Sequence, residues 1–119
     1  MVGTITNKGI TIRQGDSFPL KLYFKDEHGP KDITGSTVLM QVRNSNNVLV
    51  ISKEGVIENA EQGEVLLSLE PNDTNIELGD YVTDIQITDK NGNVNTIYPQ
   101  NVNSVAFFRI TAQVTDTSA

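Results

Sequence analysis

Phe18-Pro19-Leu20-Lys21-Leu22-Tyr23-Phe24-Lys25 sets a large apolar side chain at every even position and proline, lysine or tyrosine between them. Side chains of a strand point alternately to opposite faces, so this spacing gives one apolar face made of Phe18, Leu20, Leu22 and Phe24. A helix would spread the same four around its circumference. Pro19 has no N–H, which puts a strand start or a free edge at that point. The alternation recurs in Val38, Met40 and Val42, in Val65, Leu67 and Leu69, and in Ile85 and Ile87. Together these residues are the expected core.

Turn chemistry separates the runs. Ile10–Arg13 reads as a short first strand closed at Gln14-Gly15-Asp16, and Asp26–Pro30 as a turn. Val48–Ile51 is expected to pair with the strand through Met40, and Gly55–Glu58 is short. Pro71–Ile76 fits one helical turn, since proline is tolerated only in the first turn of a helix. Tyr81–Thr88 is a long strand that Asn91-Gly92, a hairpin signal, connects to Val94–Ile97. The last apolar run is Val105–Ile110, followed by a tail, Thr115–Ala119, expected to be loose. About seven or eight strands spaced by turns predict an all-β fold, an antiparallel β-sandwich. The expectation is a single domain over residues 1–119, with its core at about 10–114.

Composition agrees. The chain has 12 valines, 11 isoleucines and 12 threonines against 4 alanines. β-branched side chains are stiff at χ1 and suit a pleated surface better than a helix. With no cysteine there is no disulfide or thiolate chemistry, and the lone His28 excludes any site built on two imidazoles. The net charge of −6 makes a nucleic-acid backbone a poor partner. No apolar stretch approaches the roughly 18 residues that span a bilayer, so no membrane partner is expected. Met1–Lys8 lacks a charged start followed by an apolar run; no signal peptide is read there, and synthesis in the cytoplasm is expected.

Candidate chemistry reduces to structural explanations. Asp89-x-Asn91-x-Asn93 begins like a calcium loop, but Val94 stands where that loop needs glycine, and a hairpin explains the same residues. Asn72-Asp73-Thr74 fits the glycosylation pattern, but with no signal peptide read, Asp73 or Thr74 capping a short turn is the preferred reading. His28 has no nucleophile and acid in a triad-like arrangement, and it falls in a turn. The acidic pairs Asp26 with Glu27, Glu58 with Glu61 and Asp80 with Asp84 lack the deep cleft that glycosidase chemistry needs. There is no tryptophan to stack a sugar; Tyr23 and Tyr98 are the candidates for exposed aromatic faces, while Tyr81 is expected to pack at a strand start. No catalytic, cofactor-binding or metal-ligating residue is assigned, and the chain is not expected to be an enzyme.

Taken in order, Ile10–Phe18, Asp32-Ile33-Thr34-Gly35-Ser36-Thr37, Met40-Gln41-Val42-Arg43, Gly63-Glu64-Val65, Pro71 with Thr74, and Gly79–Ile87 form a recognisable series. It resembles the immunoglobulin-like sandwich of tailed-phage and prophage structural proteins, typified by the N-terminal domain of the phage upper baseplate protein. The resemblance runs from about Ile10 to Ile110, and its motifs are strand-and-turn grammar. It implies that Tyr81 is a corner tyrosine tying its strand start to a neighbouring loop. Members of the baseplate type continue into a long C-terminal region, whereas this sequence stops at Ala119.

The function this resemblance implies is that of a non-enzymatic virion structural protein, part of the tail baseplate or tail tip, that works by protein–protein docking. Its place would be the virion tail, and its partners other tail proteins, as a homo-oligomer or within a larger assembly. The alternatives are a carbohydrate-binding module contacting the host surface, or another virion position such as the neck or capsid decoration. Open sheet edges offer unpaired N–H and C=O groups to other chains. The last strand, with Val105, Phe107, Phe108 and Arg109, is the expected open edge, and Tyr23 and Tyr98 complete the expected interaction surface.

Overall fold

Each alternating run forms a strand, and the two faces of these strands separate a core from two outer surfaces. The computed structural model describes residues 3–6, 8–99 and 106–112. Its elements are β1 (Thr4–Ile5), β2 (Gly9–Arg13), β3 (Phe18–Tyr23), β4 (Lys25–Asp26), β5 (Gly29–Pro30), β6 (Thr37–Arg43) and β7 (Leu49–Glu54). They continue with β8 (Val56–Asn59), β9 (Glu64–Leu69), α1 (Pro71–Thr74), β10 (Gly79–Thr88), β11 (Val94–Tyr98) and β12 (Ala106–Thr111). The larger sheet runs β1-β2-β12-β10-β6-β7, with β11 also paired to β10. The smaller runs β3-β9-β8, and β4 with β5 make a separate two-stranded ribbon.

The fold is all-β, but with twelve strands among the described residues instead of seven or eight. They include the two-residue pieces β1, β4 and β5, which no alternating run marks. One pair departs from the antiparallel pattern: β12 lies parallel to β2, with Phe108 opposite Ile10 and Ile110 opposite Ile12.

Nine of the expected core residues, from Phe18 through Ile87, are buried as the alternation predicts. Leu20, Leu22 and Phe24 only pack against that core, half-buried. Their strand, β3, is the edge of the smaller sheet, so its inner face is covered on one flank only. The core also takes Ile10, Ile12, Ile33, Ile51, Phe108 and Ile110, most of them from the strands around β12 that long-range pairing brings together.

Two local devices hold this frame. Tyr81 Oη donates a hydrogen bond to the Glu77 carbonyl at 2.6 Å, the corner contact of immunoglobulin-like sandwiches at the start of a long strand. Gly63 has φ +68°, and a Cβ there would sit 2.5 Å from the Phe24 carbonyl oxygen. That closeness lets the Phe24 N–H donate to the Gly63 carbonyl at 2.8 Å.

The expected open edge is not one. β12 lies inside the larger sheet, paired to β2 on one side and β10 on the other. An apolar run with large side chains on both faces suits such a strand, because it meets the core on one face and its sheet neighbours' side chains on the other. The expected loose tail, Thr115–Ala119, lies outside the described residues.

Candidate functional site

The candidate site follows from a property of strands. Consecutive residues face opposite ways, so a depression touching several in a row must lie along the strand's edge. One depression of about 490 Å³ is lined by Leu22, Tyr23, Phe24 and Lys25, and by Thr96, Ile97 and Tyr98. The other edge of β3 is taken by β9, and the other edge of β11 by β10. The depression is therefore a groove between the edge of β3 in one sheet and that of β11 in the other, neither paired further among the described residues. Ile85, fully buried, and Ile5 complete its wall.

The groove brings together Tyr23 and Tyr98, two of the expected surface residues, which lie far apart in sequence. Tyr23 is 59% exposed. Tyr98 is half-buried, and its Oη donates to the Thr6 carbonyl at 2.6 Å. That burial raises the phenol above its ordinary pKa. Lys25 is the one charge among the described lining residues, on a chain whose net charge is −6.

The other expected surface residues go elsewhere. Phe108 is fully buried, because its position in β12 points it between the sheets; it is core and not interaction surface. Val105 lies outside the described residues. Phe107 and Arg109 face outward on the larger sheet. Phe107 covers Gly9, where a Cβ would overlap its ring, and the Arg109 guanidinium sits 4.9 Å from the ring centroid. Arg109 Nε donates to Asp80 Oδ1 at 2.7 Å. Registers place Phe107 beside Val82, Val82 beside Arg43 and Arg43 beside Leu49 in one row across four strands. Asp84 lies one step along β10 from that row; burial raises its carboxyl, and Arg43 opposes the shift.

The remaining motifs serve the backbone. Asp89 Oδ1 accepts the N–H groups of Asn91 and Asn93, both at 2.9 Å. These contacts outweigh the carboxyl's slight desolvation and hold its pKa below the ordinary value, the Asn93 N–H contributing most. Asp32 is held low in the same way, first by the Thr34 hydroxyl and then by the Thr34 N–H. Both acids line a polar cleft of about 370 Å³ with Lys31 and Lys90. Among the described residues, no group of three or more His, Cys, Asp or Glu side chains is placed to hold a metal ion. His28 is exposed, with Nε2 3.6 Å from Glu27 Oε1. Thr74 is fully buried, its Oγ1 donating to the Asp16 carbonyl at 2.7 Å, while Asp73 Oδ2 accepts the Glu70 N–H at 2.7 Å.

Two packed, mostly antiparallel sheets and a corner tyrosine make an immunoglobulin-like β-sandwich fold. No protein-family model matches the chain, and no curated protein does. The N-terminal domain of phage TP901-1 ORF48 is similar at a TM-score of 0.52 and 13% identity, over 90% of this chain and 90% of that one. CopC from Methylosinus trichosporium OB3b is similar at a TM-score of 0.50 and 14% identity, over 97% of each chain. Murine CRIg aligns over 87% of this chain and 92% of that one, at 11% identity and a TM-score of 0.41. At these identities the likeness is one of fold, and it includes a phage protein.

Proposed function

We propose that the chain is a non-enzymatic structural protein of a phage virion, a baseplate or tail-tip component that acts by docking to other tail proteins. The observation that carries this reading is the correspondence with the phage ORF48 N-terminal domain over nine-tenths of both chains. The ordered motifs from Ile10 to Ile110 point the same way. CopC shares the fold at a similar TM-score, so the fold alone does not choose between the two; the order of the motifs supports the phage reading. The experiment is to mix the purified chain with the purified products of the genes flanking its own and measure mass by light scattering after gel filtration. A stoichiometric complex with a tail protein is the expected result. A chain that stays alone with every neighbour refutes the reading. Glycan binding that disappears in Tyr23→Ala or Tyr98→Ala would replace it with a carbohydrate-binding role.

A further inference from the structure

We infer that the groove between β3 and β11 receives an extended segment of a partner polypeptide. The segment pairs with the free edge of β3, seats an apolar side chain against Leu22, Phe24 and Ile97, and sets a carboxylate against Lys25. The inference rests on the docking reading and names the partner's chemistry.

Three observations carry it. The first is the direction of the backbone groups on β3. In an antiparallel pair, alternate residues turn both N–H and C=O toward the partner strand. Phe24, just beyond β3, turns its N–H toward Gly63, just before β9, in continuation of the β3–β9 register, so the even residues face β9. Pro19, which has no N–H to give, sits among the odd ones. The backbone groups of Lys21 and Tyr23 therefore point away from β9, and among the described residues no strand pairs with them. Two donors and two acceptors at a spacing of two residues match another extended chain, the geometry of β-strand addition.

The second is the groove itself. Its lining is mostly apolar, yet it opens between two strand edges that are unpaired among the described residues, with β11 facing β3 across it. An extended segment lying there would point alternate side chains into the groove and out to solvent. In strand addition the main chain supplies affinity and such pockets supply specificity. The third is charge. Lys25 is the single charged residue among the described residues that line the groove, whereas Lys21, farther along β3, is already paired with Glu58 at 3.4 Å. Among the described residues no carboxylate lines the groove to compete for Lys25, so an acidic residue on the incoming segment is favoured over a basic one.

The test is amide hydrogen exchange by NMR on the 119-residue chain, with a capped peptide of alternating valine and glutamate as probe. Slowed exchange at the Lys21 and Tyr23 amides on titration is the expected result. Tyr23→Pro removes one outward donor while leaving the bonds to β9, since proline is tolerated on an edge strand with its nitrogen toward solvent. It should weaken binding about tenfold, the usual effect of losing one good hydrogen bond. Lys25→Glu should weaken it similarly, and an alternating valine–lysine peptide should then bind the variant better than the unaltered chain. Unchanged exchange at both amides with millimolar peptide overturns the inference. So does slowed exchange that rises with the chain's own concentration without peptide, which would mean self-pairing, or Tyr23 and Tyr98 signals that shift with free saccharides and not with peptide. A flanking-gene partner that binds Tyr23→Pro and Lys25→Glu as tightly as the unaltered chain overturns the groove and leaves the docking reading standing.

Discussion

Leu67→Ala should be among the more costly single truncations. Leu67 is fully buried in β9, the strand that pairs with both other strands of the smaller sheet, between the equally buried Val65 and Leu69. The change removes three carbon-bearing groups, at about 0.8 kcal/mol each in transfer free energy. A cavity walled by neighbours on both sides collapses poorly and adds to this, so about 3–4 kcal/mol is expected. A chain of 119 residues unfolds with an entropy of about 0.25 kcal/mol/K, which converts that loss to a drop of roughly 12–16 °C in Tm. Leu22→Ala is the internal control. Leu22 lies at the groove on an edge strand and is only half-buried, so it should lose about 1–2 kcal/mol. Equilibrium unfolding in guanidinium chloride, with m unchanged between variants, measures both. Equal losses at the two sites, or a loss below about 1 kcal/mol at Leu67, would refute the assignment of inner and edge positions.

Thr74→Val keeps the shape of the buried Thr74 but leaves the Asp16 carbonyl without its 2.7 Å donor; a loss of about 1–3 kcal/mol by chemical denaturation is expected. Tyr81→Phe breaks the corner bond to Glu77 and should cost about 0.5–1.5 kcal/mol without changing the far-UV circular dichroism. Burial pushes the Asp73 carboxyl up, but the Glu70 N–H and the Lys53 ammonium outweigh it and hold its pKa below the ordinary 3.8. Its contribution is thus present above pH 3.8 and lost as pH falls through the lower folded value, so Asp73→Asn should lower Tm near neutrality and flatten its fall in acid. Asp84 carries the opposite sign, since burial raises its pKa. Asp84→Asn should raise Tm near neutrality, and that gain should vanish as pH falls through the raised pKa and below 3.8.

Period-two spacing determined where the strands lie and which side of each faces inward. Val38, Met40, Val42, Val65, Leu67, Leu69 and Ile85 are fully buried as their alternation requires, and the Asp89–Asn93 turn joins β10 to β11. The role of Tyr81 was legible through the family resemblance, which implies a corner tyrosine at this strand start. Strand order was not legible. Val105–Ile110 reads the same whether its strand is central or at an edge, since alternation records only faces and says nothing of neighbours. That β12 is central, and parallel to β2, depends on pairings between residues about a hundred positions apart. The groove depends on long-range pairing as well. Tyr23 and Tyr98 meet because, among the described residues, one sheet ends at β3 and the unpaired edge of β11 faces it across the gap. Local side-chain periodicity is a property of each strand alone, whereas edges and grooves exist only between strands, so tertiary pairing decided them.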